Sequence, residues 1–135
     1  MIGSTRSINV YARTAPTDLR KGFNGLYGLV ERELGRDPMS GDVYLFVNRR
    51  RKSAKALLYD GTGLCIYAKR LAQGSFACLW RDDGSSSLSL SMSELALFLE
   101  GADLTAHLPL SPDRIEKQCH IELTVRFILL LHMHG

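Results

Sequence analysis

Three cysteines in 135 residues, Cys65, Cys78 and Cys119, include no Cys-x-x-Cys pair. An odd, widely spaced set of this kind frames no disulfide scaffold and supplies no zinc or redox motif. Their scarcity fits a reducing cytoplasm. Long apolar runs are missing too. The greasiest stretch, Phe127 to Leu131, is five residues bounded by Arg126 and His132, far short of the roughly 18 needed to cross a bilayer, so no membrane association is expected. The opening residues MIGSTRSINVYART lack the apolar centre of a secretory signal. Phosphate-loop, Gly-x-Ser-x-Gly and His-Glu-x-x-His patterns are also absent, which leaves the commonest nucleotide, acyl-transfer and zinc-protease chemistries without an anchor.

What is present is an ordinary globular composition, 45% hydrophobic and 23% charged, apolar enough for a packed core and the right length for one domain. The net charge of +3 says little. Its distribution says more. Residues 1–81 hold fourteen basic and six acidic side chains, whereas residues 82–135 hold three and eight. A cationic half joined to an anionic half points to a polyanionic partner.

The coarse pattern is α+β. Ile8, Asn9, Val10 and Tyr11 read as a short strand ending at a turn around Pro16. Leu19, Phe23, Leu26, Leu29, Val30 and Leu34 then recur at helical spacing, with Thr17 or Asp18 available as a cap and Gly35 as a stop. Gly22, Gly25 and Gly28 interrupt this helix; small residues for close packing on a sheet, or a hinge, would account for them. Three apolar runs at 43–47, 54–59 and 64–68 follow, joined by short polar connections that demand antiparallel pairing. Further strands are expected at 76–80 and 88–90, completing an antiparallel meander of four to five strands packed with the N-terminal helix. Ser91 or Ser93 should start a second helix after the sheet, with Glu94 near its positive end and Gly101 as its stop. Residues 1–104 form the expected domain, and 105–135 an atypical C-terminal extension that fits either a helix or a strand.

The densest chemical feature is Arg49, Arg50, Arg51, Lys52 and Lys55, five cations within seven residues and no acid, at an expected hairpin tip. Crowding them costs self-repulsion, which phosphates relieve as counterions are released. Arginine also recognises phosphate and guanine in a bidentate way, and a two-stranded ribbon fits the major groove of DNA. A solvated turn that keeps the sheet soluble is the plainer reading. Lys69 and Arg70 at the end of a strand, with Arg20 and Lys21 in the first helical turn, would extend the cationic surface. Tyr44, Tyr59 and Tyr67 fit core packing better than base stacking. Asp18, Asp60, Asp82, Asp83 and Glu94 could in principle form a two-metal carboxylate cluster, but each has a simpler role as a cap, turn or loop residue. His107, His120, His132 and His134 sit near the C-terminus, where His132 and His134 with Cys119 and His120 could capture a metal opportunistically, although no functional metal site is the plainer reading. No catalytic residue, metal or cofactor is assigned.

Four blocks resemble one family: PTDLRKGFNGLYGLV at 16–30, DPMSGDVYLFVNRRR at 37–51, KALLYDGTGLCIYAKRLAQGSF at 55–76 and ELALFLEGADL at 94–104. It is the second-open-reading-frame accessory protein, TnpB, of bacterial insertion sequences of the IS sixty-six family. The family-like positions are Pro16, Thr17, Asp18, Arg20, Lys21, Gly41, Asn48, Arg49, Lys55, Asp60, Gly61, Gly63, Lys69, Arg70, Leu71, Gly74, Phe76, Leu99, Glu100 and Gly101. Tyr59 and Ser75 stand where the family usually has tryptophan and arginine, and the tryptophan-proline pair expected after Phe76 is replaced by Cys78, Leu79 and Trp80. Past Leu104 the likeness stops, and an altered reading frame is one expectation for the odd tail. An uninterrupted homologous frame in intact elements would remove that idea.

The resemblance implies a non-catalytic companion of a separate DDE transposase, needed for efficient movement of the element. With the charge pattern, it leads to an expected DNA interface of Arg49, Arg50, Arg51, Lys52, Lys55, Lys69, Arg70, Arg20 and Lys21. Element DNA and the transposase are the expected partners, and self-association stays open. An adaptor that binds the transposase and never touches DNA is the alternative.

Overall fold

The computed structural model describes residues 7–101, and the expectations about the C-terminal extension and its histidines lie outside them. The element order is β1 (Val10–Arg13), α1 (Phe23–Arg32), β2 (Val43–Val47), β3 (Ser53–Tyr59), β4 (Leu64–Arg70), β5 (Ser87–Leu90) and α2 (Met92–Leu99). The strands form one sheet in the order β4-β3-β2-β1-β5. The α+β class is as the sequence predicts, with a helix on each face of the sheet.

The sheet is mixed rather than a pure meander. β2, β3 and β4 pair antiparallel through short connections, and β5 pairs antiparallel with β1. β1 and β2 run parallel, with Val10 beside Val43 and Ala12 beside Leu45. The chain between them carries α1 and is long enough for the crossover that a parallel pair requires. Covered on both faces, β2 is buried at all five positions.

Residues 76–80 form no strand. Phe76, Ala77 and Leu79 are buried as a strand's residues would be. Their segment, however, runs across the ends of the other strands. The Phe76 N–H donates to the Arg51 carbonyl at 2.7 Å, and the Arg81 N–H donates to the Thr14 carbonyl at 3.2 Å. These N–H groups meet single carbonyls outside the strands, and no ladder forms.

Period-two alternation divides the core into two layers. Tyr44, Phe46 and Leu57 face α1 and pack with Leu26, Leu29, Val30 and Leu34. Val43, Leu45, Val47, Ala54, Ala56 and Leu58 face the other way, onto Phe76, Leu79 and the Leu95, Leu97 and Phe98 side chains of α2. α2 begins with a capping box, in which Ser91 and Glu94 each accept from the other's backbone N–H.

α1 starts later than its apolar spacing implies. Asp18 does not cap it. Its Oδ1 accepts from the Arg20 N–H at 3.0 Å and its carbonyl from the Lys21 N–H at 3.3 Å, closing a separate turn. Gly22 is the N-cap and makes no side-chain cap bond, while Phe23 is left 49% exposed. Gly35, at φ +62°, turns the chain past the helix so that the Arg36 N–H reaches the Val30 carbonyl at 3.1 Å.

The helix glycines do not serve close packing on the sheet. A Cβ at Gly25 would sit 2.8 Å from the Lys21 Cβ, and one at Gly28 would sit 2.5 Å from Arg32 Nη1. Both face side chains of their own segment. Arg32 is exposed and its far end can swing away, so Gly28→Ala should stabilise the chain by about 0.5–1 kcal/mol through helix propensity. Gly25→Ala meets a Cβ close to the backbone and should destabilise it. Urea denaturation of the two variants checks the opposite signs; equal shifts would contradict this packing.

Candidate nucleic-acid interface

The β2–β3 connection is built around Asn48. Its side-chain Oδ1 accepts from the Lys52 N–H at 3.0 Å and the Ser53 N–H at 3.1 Å, and its carbonyl accepts from the Arg51 N–H at 2.9 Å. These bonds make 48–51 a tight turn with Arg49 and Arg50 as its two central, exposed residues. Arg51 follows at φ +58°, a left-handed conformation that disfavours side chains with a Cβ.

A second segment, 71–76, holds the turn in that shape. The Leu71 N–H donates to the Lys52 carbonyl at 2.8 Å, and the Phe76 N–H to the Arg51 carbonyl at 2.7 Å. In return, Arg51 Nη1 donates to the Phe76 carbonyl at 2.8 Å and Lys52 Nζ to the Gly74 carbonyl at 2.9 Å. Phe76 itself is fully buried and stacks on Phe98, with ring centroids 4.9 Å apart. The tip is therefore anchored in the α2-side core. Gly101, at φ +77°, closes the same region, because a Cβ there would meet Leu71 Cδ2 at 2.9 Å.

Two neighbouring grooves open beside the tip. The larger, about 630 Å³, is lined by Arg20, Arg49 and Arg50 together with Asp18, Leu19 and Asn48, among others. The smaller, about 260 Å³, includes Lys55, Lys69 and Arg70. Leu19 and Ser53 line both. Strand register explains part of this grouping. Ser53 pairs with Arg70 and Lys55 with Ala68, which puts Arg70 and Lys55 on the α1 face beyond the apolar layer. Lys69 pairs with Ala54, so alternation assigns it to the other face, where it borders the groove at the sheet edge.

Six of the nine expected interface residues thus border one continuous pair of grooves. The other three are placed differently. Arg51 and Lys52 point back to the Phe76 and Gly74 carbonyls and lock the turn. Lys21 supplies a carbonyl that, with that of Leu19, accepts from Lys55 Nζ at 3.2 and 2.8 Å. Lys55 is therefore held by neutral backbone acceptors rather than by a carboxylate.

Counter-charges are few. Among the described residues the ion pairs are Arg13 with Glu33 at 3.6 Å and Arg20 with Asp18 at 2.8 Å. Arg20 alone among the expected interface residues carries its own carboxylate. The Arg20 guanidinium and N–H hold the Asp18 carboxyl well below the usual range. Both partners are exposed, so this pair contributes little to stability. Asp18 is the groove residue that charge counting missed; an acid two residues before an arginine at a turn is the signal for it.

Three of the remaining candidate acids, Asp60, Asp83 and Glu94, have local partners. Asp60 Oδ1 accepts from the Thr62 and Gly63 N–H groups at 2.9 and 3.0 Å and from the Thr62 hydroxyl, while Oδ2 accepts from Cys65 Sγ at 3.3 Å. Asp83 accepts from the Ser85 backbone, and Glu94 caps α2. Among the described residues no group of three or more His, Cys, Asp or Glu is arranged to hold a metal, and no helix is long and apolar enough to cross a membrane.

Asp60 carries a pH prediction. Its backbone donors, Thr62 first, lower its pKa from 3.8 to about 2. A depressed native pKa gives stability that is complete above the unfolded value and is lost as pH falls through the native one. Denaturation midpoints should therefore fall between pH 3.8 and about 2 more steeply for the natural chain than for Asp60→Asn. Parallel profiles would show that the turn does not depend on this charge.

A mixed five-stranded sheet with a helix on each face and six cations bordering two adjoining grooves defines a small α+β domain with a cationic tip. The chain belongs to the family described as "IS66 Orf2 like protein", which matches residues 8–108. It is 35% identical over 105 residues to the uncharacterized protein y4jC of Sinorhizobium fredii, covering 78% of this chain and 88% of that one. It is 31% identical over 103 residues to the uncharacterized protein y4hO of the same organism, covering 76% and 88%. No solved structure matches the chain. The family is one of transposition-associated accessory proteins of insertion sequences, as the sequence blocks imply.

Proposed function

We propose that this accessory protein has no catalysis of its own and grips element DNA through its cationic tip, alongside the transposase encoded by the same element. The observation that carries the reading is the set Arg49, Arg50, Lys69 and Arg70, all bordering the two grooves and none paired with a carboxylate among the described residues. Four such cations concentrate charge without internal compensation, and phosphates are the ligands that relieve it. Lys55 supports them from a fixed position.

The test is an equilibrium titration against element-end and scrambled duplexes, with and without purified transposase. The reading expects binding to both duplexes by the protein alone. Nuclease-resistant capture of the transposase, with no duplex binding, would instead establish the adaptor that avoids DNA. Asp18→Asn offers a gain-of-function check, since it unmasks Arg20. One additional phosphate contact raises affinity by up to about eightfold at about 0.1 M salt. Weaker binding by this variant would mean that Asp18 positions Arg20 rather than masking it.

A further inference from the structure

We infer that the paired grooves receive the backbone of a double-stranded nucleic acid and not a single strand; this rests on the polynucleotide-binding reading above. Single-strand binders combine a cationic groove with aromatic faces on which bases stack, each stacked base contributing about 1–3 kcal/mol. Among the described residues, neither groove has an aromatic side chain in its lining.

Most of the described aromatics are engaged elsewhere. Tyr44, Phe46, Phe76 and Phe98 are buried. Tyr11 stacks on Tyr44 and is covered by the Arg36 guanidinium, 3.6 Å from its ring centre. Tyr67 and Trp80 pack against the α2-side core, and the Tyr59 hydroxyl donates to the Gly61 carbonyl in the β3–β4 turn. Phe23, half-exposed at the start of α1, and Tyr27, half-buried one turn further on, remain, and neither lines a groove.

Without stacking, charge density decides between the two forms. The salt exponent is about 0.9 per phosphate contact on a duplex and about 0.7 on a single strand, so four contacts favour the duplex by about sixfold at about 0.1 M salt. The tip suits a rigid target as well. Asn48 and the 71–76 segment fix the turn before any ligand arrives, so Arg49 and Arg50 are presented with little ordering cost in the turn itself.

Fluorescence anisotropy of the full chain against a short labelled duplex and each of its separated strands tests this, with Phe23→Ala as a second protein. The duplex should bind about sixfold more tightly at about 0.1 M salt, and Phe23→Ala should leave both affinities unchanged. Equal or tighter binding of a single strand, or tenfold weaker binding by Phe23→Ala, would overturn the duplex assignment and leave the polynucleotide reading intact. Binding of neither form, or binding indifferent to Arg49→Ala with Arg50→Ala, would overturn both.

Discussion

Phe76→Ala is expected to destabilise the chain by about 3–5 kcal/mol, a large share of the roughly 5–15 kcal/mol that holds a domain of this size folded. The ring is fully buried, stacks on Phe98 and sits within the core between the sheet and α2. Truncation removes that burial and leaves a cavity. It also loosens the segment whose backbone holds Arg51 on both sides, through the Phe76 N–H and carbonyl. Urea denaturation should show the loss. Any folded fraction should then display weaker protection of the Arg51 and Lys52 amides in hydrogen exchange. A stability change below about 1 kcal/mol would mean that the segment is not an anchor.

Replacing both Arg49 and Arg50 by alanine is the complementary experiment, with its largest effect on binding rather than folding. Both side chains are exposed at the tip and make no contact that the fold requires, so stability should change by no more than about 0.5 kcal/mol. Loss of two phosphate contacts should weaken duplex binding about 60-fold at about 0.1 M salt. Unchanged affinity in a folded double variant would detach the tip from DNA. Arg51→Ala is a poorer probe, because it also removes the bond to the Phe76 carbonyl.

Much of the fold was legible because its signals are local. β2 spans the residues that its apolar run indicates, and the Asp60 turn and the Ser91 cap follow from residues whose side chains bond their own backbone neighbours. What escaped depended on distant partners. Apolar residues at 76–80 look the same in sequence whether their amides meet a ladder or two isolated carbonyls, so the missing strand there is a tertiary result. The parallel β1–β2 pair is likewise invisible to a pattern reading of either strand, although the helical segment between them permits it. Asp18 looked like a helix cap and is instead the counter-ion of Arg20.

The interface was legible as a run of charge but not as a geometry. Composition treats Arg49 and Arg51 alike, whereas the turn sends one to solvent and the other to a backbone carbonyl. Arg70 joins the same surface through its register with Ser53, which spacing along the chain does not reveal. Asn48 is the residue that converts the charge run into a presented pair of arginines.

The most direct test is the salt dependence of duplex affinity for the unaltered protein. Four uncompensated cations engaging phosphates predict that log affinity falls against log salt with a slope near −3.6, or roughly 150-fold between about 50 and 200 mM. An affinity that stays level across that range, or no measurable duplex binding at its low end, would contradict the account.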